Sequence, residues 1–232
     1  LNYSKNRHDI KVLKIIKKNI NGVFNISSER LLDEFQKLLR SKGFQKLTQD
    51  KDCLEIISLI FPQFKKISIF SKLNSFAKEN FSKVDYIFLL SLMIIDDTDN
   101  AEYFIYKFNL SKKNQKRILY LNKFYSEKIT SETFLEKNLN KILYYNGRDA
   151  LMDIIYFKIF KSNKIDNRLI DLIKIFKEKK IPTIPLKAKV LMEKYHVPEG
   201  RELGKKLRAI EETWINNNFQ ISEKEIEKIV KN

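Results

Sequence analysis

ISSERLLDEFQKLL, residues Ile26 to Leu39, is the stretch whose reading decides the fold. Ser27 has the side chain of an N-cap, Ile26 is placed to staple onto Leu31, and Glu29 sits in the first turn, where the helix dipole favours a carboxylate. Leu31, Leu32, Phe35, Leu38 and Leu39 recur at helical spacing and form an apolar face. Arg30, Glu34 and Lys37 form a neighbouring stripe on which Arg30 can pair with Glu34 and Asp33 with Lys37. Exposed pairs of this kind stabilise a helix by only roughly 0.2–0.5 kcal/mol each, so on charge spacing alone a solvated face is the preferred reading.

Outward from this helix the same period continues. The 232 residues include only 5 Gly and 4 Pro, and no sustained period-two alternation appears, so an almost wholly helical, all-α chain is expected. At 43% hydrophobic and 12% aromatic residues, it can bury one or two cores. The longest apolar run, Ile87 to Ile95 broken by Ser91, is far shorter than the roughly 20 residues of a membrane span, so a core helix and no membrane partner are expected. A single cysteine, Cys53, forms no internal disulfide and fits a reducing cytoplasm. Lys and Arg total 45 against 29 Asp and Glu, a net +16. That excess favours an anionic polymer through counterion release, although heavy use of Lys, Asn and Ile is also what an AT-rich genome produces.

In chain order, a first helix is expected from His8 to Asn19, with Ile10, Leu13, Ile16 and Ile20 inward. The Ile26 helix stops near Gly43, read as a C-cap, and a third helix runs from Asp50 to Phe61 before Pro62. Phe70, Leu73, Phe76 and Tyr86 to Ile95 supply a helical scaffold. Asp97 and Asp99 have the spacing of a metal-binding pair, but neither a strand nor a Gly-Ser turn precedes them, so an acidic turn capping the next helix is preferred. Ser111 opens a helix whose first turns carry Lys112, Lys113, Lys116 and Arg117. Cations there cost roughly 0.3–1 kcal/mol each against the dipole, which suits a site that gathers phosphates and is matched by lysine-rich composition. Asn146 and Gly147 form a loop before a buried helix over Asp149 to Phe160. Asp166 to Lys179 is amphipathic, with Leu169, Leu172, Ile173 and Phe176 inward.

Ile181 to Pro185, IPTIP, is rigid and non-helical, and marks a boundary. Beyond the turn at Pro198, Glu199 and Gly200, a helix places Leu203, Leu207, Ile210 and Trp214 on one stripe and Arg201, Lys205 and Arg208 on another. Three cations at a helix N-terminus beside a glycine make a plausible phosphate cradle. Gly204 inside that helix costs about 1 kcal/mol relative to Ala, which close approach of another backbone, protein or nucleic acid, would justify.

IPTIPLKAKVLMEKYHVPEGRELGKKLRAIEETWINNNF, Ile181 to Phe219, resembles the C-terminal signature of bacterial class II CCA-adding enzymes and poly(A) polymerases, the tRNA nucleotidyltransferase family. Pro182, Pro185, Leu186, Leu191, Pro198, Gly200, Leu203, Gly204, Leu207, Glu211 and Trp214 carry the likeness. Glu29, Arg30, Glu34 and Lys37 match the family's neck motif, and Phe108 to Ser111 is similar to its step into a body helix. The resemblance implies a neck over 1–62, a helical body over 63–180 and a tail over 181–232. It also implies that these parts hold the acceptor stem and elbow of tRNA. Ala188, Val190 and Tyr195 depart from the pattern where it carries Gly, Asp and Gly, which weakens the expectation for tail contacts.

The family's catalytic head, which binds magnesium and CTP or ATP, has no counterpart in these residues: neither its D-x-D strand nor its base-reading motif is present. With Leu1 rather than Met at the start, the expectation is a chain that begins inside a longer reading frame, holds no catalytic, metal or cofactor site of its own, and is inactive alone. Its partners would be tRNA or an RNA 3′ end and a separately encoded head. Two alternatives stay open: a helical docking subunit or decayed remnant with little RNA binding, and a basic helical protein of accidental similarity.

Overall fold

The computed structural model describes residues 9–41, 43–127, 129–184 and 186–231. Every regular element among them is helical, and no described helix is long and apolar enough to cross a membrane. The chain divides by packing into two compact units, one drawn from residues 1–128 and 153–171, the other from 129–152 and 172–232. The spans expected as 1–62 and the first part of 63–180 therefore share one unit, while 129–152 packs with 172–232.

Unit 1 contains α1 (Ile10–Lys18), α2 (Ser28–Leu39), α3 (Phe44–Leu47), α4 (Lys51–Ile60), α5 (Ser75–Asn80), α6 (Tyr86–Ile94), α7 (Asn100–Lys107) and α8 (Lys112–Ser126), with 3-10 turns at Ile20–Asn25 and Ile67–Ser71. Short polar side chains set most of the starts. Ser27 Oγ accepts from the Arg30 N–H at 3.3 Å, Asp50 caps α4 through the Asp52 and Cys53 N–H groups, and Ser111 caps α8. These satisfy donors that a helix leaves orphaned. Asn74 does more: its Oδ1 caps α5 at Ala77, while its Nδ2 donates to the carbonyls of Ile159 and Ser162 at 2.8 Å each.

On α2 the side chains of Leu32, Phe35 and Leu39 are buried, whereas Leu31 and Leu38 are half-buried. Phe35 enters an aromatic chain. Its ring lies 4.6 Å from Phe64, 5.0 Å from Phe61 and 6.1 Å from Phe44, and contacts continue from Phe61 and Phe64 to Phe104 and Phe108 and from Phe44 to Phe70 and Phe81. α6 is buried from Ile87 to Ile94, as its uninterrupted apolar run requires.

Three expectations are corrected. The first helix begins at Ile10, capped by Asp9, and His8 lies outside the described residues. Only Leu13 of that helix is buried, while Ile10 is 64% exposed and Ile16 38%. The core-facing side is held instead by Lys17, whose Nζ lies 2.9 Å from Asp52 and 2.5 Å from Glu55 of α4. Gly43 is not a left-handed C-cap: its φ is −85°, and it precedes α3, so α2 closes at Arg40 by turning directly into the next helix.

α9 (Glu136–Lys161) is interrupted at Gly147, where φ is +80° and ψ 174°. Only glycine adopts such a conformation readily, and the loop read at Asn146 and Gly147 is thus a one-residue break. Its second half supplies Phe157 and Phe160 to unit 1, against Tyr125 and Phe88. α10 (Asn167–Glu178) buries Leu169, Leu172, Ile173 and Phe176, the four positions its spacing predicts. Unit 2 is completed by α11 (Ala188–Tyr195), α12 (Arg201–Asn216) and α13 (Glu223–Lys231). Its core joins Leu191, Val197, Leu203, Ile210 and Ile226. Residues 181–184 are non-helical as expected, and Pro185 lies outside the described residues.

Candidate nucleic-acid interface

Glu29, Arg30, Glu34 and Lys37 lie along the exposed side of α2. Lys37 Nζ reaches Glu34 at 2.8 Å and Asp33 at 3.0 Å, and its hydrogen bonds to Glu34 first and Asp33 second hold its pKa above the usual lysine value. The Asp33–Lys37 pair forms as its spacing allows. The Arg30–Glu34 pair does not, because Lys37 takes the Glu34 carboxylate. Arg30 has no acidic partner among the described residues, which leaves its guanidinium open to an external anion. Lys37 and both of its carboxylate partners are solvated, and their net stabilisation is small.

In α8 the expected cluster separates. Lys112, Lys113 and Lys116 are exposed or half-exposed at the surface. Arg117 turns inward: it meets both carboxylate oxygens of Asp153 through Nε and Nη2 and donates from Nη1 to Asp85 at 2.8 Å. With side-chain exposures of 15% for Arg117 and 5% for Asp153, this is a largely desolvated pair. Its role is to tie α8 to the second half of α9 and to the start of α6, rather than to meet phosphate.

In unit 2, α12 presents Arg201, Lys205 and Arg208 on its exposed side, and none has an acidic partner among the described residues. Gly200 precedes the helix at φ +134° with no side-chain cap, so backbone N–H groups and three cations share that end. Gly204 is also exposed, and a Cβ built on it meets nothing within 4 Å. No backbone of the described residues approaches it.

Two other signature positions of α12, Glu211 and Trp214, are structural. The Tyr144 hydroxyl donates to Glu211 Oε1 at 2.5 Å, and that hydrogen bond is the main reason the phenol is pushed up to about 12. Trp214 is 2% exposed and packs edge-on against Tyr144 and Phe219.

At the Asp97–Asp99 turn the carboxylates are engaged locally or left without a capping role. Asp96 Oδ1 accepts from the Thr98 hydroxyl at 2.6 Å, Asp99 makes no capping bond, and no three His, Cys, Asp or Glu side chains converge among the described residues.

Several positioning groups carry no sequence signal. Arg148 donates to the carbonyls of Lys177 and Lys179, closing the C-terminal end of α10 with a side chain from a distant part of the chain. Asn74 and Asp153 are likewise polar residues inside apolar runs, distinguishable only once their partners are known.

Residues 9–67, about a quarter of the chain, match the family model described as "Probable RNA and SrmB- binding site of polymerase A". The matched span contains α1 to α4 and the whole Glu29–Lys37 stripe. This segment is similar to an RNA-binding region of polymerase A. No curated protein matches the chain.

Proposed function

We propose that this chain binds RNA as the neck, body and tail of a tRNA nucleotidyltransferase of the CCA-adding or poly(A) polymerase type. It would hold the acceptor stem and elbow while a head domain, which binds magnesium and CTP or ATP, adds nucleotides to the 3′ end. The observation that carries the reading is the match of residues 9–67 to an RNA-binding region of polymerase A, over the stretch in which Glu29, Arg30, Glu34 and Lys37 resemble the neck motif. Support comes from the net charge of +16 and from Arg30, the three exposed lysines of α8 and Arg201, Lys205 and Arg208, which have no acidic partner among the described residues. In this reading Arg30, Lys112, Lys113, Lys116, Arg201, Lys205 and Arg208 meet phosphates, with Gly200 and Gly204 at the α12 end. In this reading the setting would be a bacterial cytoplasm.

The test is binding of the purified chain to a fluorescent tRNA lacking its terminal CCA, titrated with salt and competed by an acceptor-stem minihelix and by unrelated duplex RNA. Far stronger competition by the minihelix supports a tRNA clamp. Equal, weak and strongly salt-dependent binding to all three RNAs reduces the charge to generic attraction. Nucleotide incorporation by the isolated chain with magnesium would overturn the assignment of catalysis to a separate head.

A second reading, a docking subunit with little RNA binding, is favoured by one observation. Val12, Ile15 and Phe24 are 50%, 61% and 63% exposed near the start of unit 1, an apolar surface that a partner protein would cover. The matched model's description also names SrmB beside RNA.

A further inference from the structure

A pocket of about 250 Å³ opens between the end of α2 and the turn that leads into α6. None of Glu29, Arg30, Glu34, Lys37 or the α8 cations lines it, although the Asp33 and Asp85 carboxylates lie near enough to act on its Tyr86. Leu39, Val84 and Leu89 form its apolar wall, and the Phe81 ring lines it. That ring is fixed from behind, stacked on Phe44 at 5.9 Å and meeting Phe70 edge-on at 5.5 Å. The pocket is therefore preformed.

Two polar groups give it chemistry. Arg40 and Tyr86 line it, and neither side chain has a hydrogen-bond or ion-pair partner among the described residues. Neither polar group is held by a bond that the fold supplies among those residues. Burial pushes the Tyr86 phenol up to about 12, so it stays a protonated donor throughout the physiological range. The volume lies below the roughly 300–1,000 Å³ of sites for drug-sized ligands, which admits one planar ring system and excludes a base pair. An apolar and aromatic wall, a hydroxyl for a base edge and a guanidinium for a phosphate are the groups by which proteins take single unstacked nucleotides.

We propose that this pocket receives one unpaired nucleobase of bound RNA, with the base against Phe81, its edge on the Tyr86 hydroxyl and its phosphate on Arg40. Leu39 and Arg40 fall within the span similar to an RNA-binding region, and the proposal rests on the RNA-binding reading above. A paired base cannot enter, so the site favours single-stranded segments over duplex.

The experiment compares the full chain with its Tyr86→Phe and Ser82→Trp variants. Ser82 is exposed and lines the pocket, so tryptophan there blocks it without entering the core. The Tyr86 hydroxyl has no bond to lose, and thermal melts confirm that both variants fold. The probes are a short single-stranded RNA carrying one 2-aminopurine and a perfect duplex of the same sequence. The expected result is a fluorescence change on binding the single strand, abolished by Ser82→Trp. That variant also lowers single-strand affinity about tenfold, within the range set by one stacked base, and leaves duplex binding unaltered. Tyr86→Phe lowers it less. If both variants bind both RNAs as the wild type does, the pocket proposal falls and the RNA-binding reading stands. If the wild type binds neither RNA, both fall.

Discussion

Arg117 Nη2 donates to Asp153 Oδ1 at 2.7 Å across 36 residues of chain, and the second oxygen of the same carboxylate meets Nε. Removing one partner of a buried pair strands the other charge and costs about 3–5 kcal/mol. Arg117→Ala should therefore lower unfolding free energy by about 3 kcal/mol in urea titration. A loss under about 1 kcal/mol would show that solvent already screens the pair. The double variant Arg117→Met with Asp153→Leu should recover most of the loss.

Gly200 and Gly204 stand four residues apart and should respond in opposite directions. Gly200 has φ +134°, where an L side chain is strained by about 1–3 kcal/mol, so Gly200→Ala should lower the melting temperature. Gly204 is helical with open space at its Cβ, and Gly204→Ala should stabilise by about 0.5–1 kcal/mol. If RNA approaches this helix closely, the same alanine weakens RNA binding while raising the melting temperature.

The Tyr144–Glu211 hydrogen bond gives unit 2 a pH dependence with a defined sign. The folded-state value is raised to about 12 from the ordinary 10, so folding favours the protonated phenol. Its contribution is complete below about pH 10 and is lost as pH rises from about 10 to 12. Melting temperatures across that window should fall more steeply for the wild type than for Tyr144→Phe. Parallel curves would mean that Glu211 is held by other groups.

The exposed cations of α12 should appear in the salt dependence of RNA binding. Taking one cation off a phosphate shallows the slope of log K against log salt by about 0.7 on single strands and 0.9 on a duplex. Replacing Arg201, Lys205 and Arg208 with Gln should thus reduce the slope by up to about three such steps. The same exchange at Lys112, Lys113 and Lys116 tests α8. An unchanged slope would remove the helix concerned from the interface.

Elements whose apolar period stands alone were legible from the chain. α10 buries the four residues its spacing predicts, and α2 begins at the Ser27 cap, because local sequence suffices to define both. What failed depended on distant partners. Ile10 and Ile16 match a core period, yet α4 meets α1 through Asp52, Glu55 and Lys17. Arg117 has the spacing of a phosphate-gathering cation, and only the arrival of Asp85 and Asp153 turns it inward. The Tyr86 pocket was invisible for the same reason: Arg40, Phe81 and Tyr86 come from separate elements, and none belongs to a recognisable motif.

The aromatic chain that begins at Phe35 does not stop where the similarity to the polymerase region stops. Within residues 9–67, Phe44 rests on Phe70 and Phe81, and Phe61 and Phe64 rest on Phe108 and Phe104. The matched segment thus borrows much of its interior from sequence beyond it and is no transplantable cassette. Cut free at residue 67, it would present a row of bare phenylalanine faces to water, and it should aggregate rather than bind. Any exchange of this region between relatives has to carry the helices up to Phe108 with it, so the smallest unit of inheritance for the surface on α2 is larger than that surface by about forty residues of scaffold.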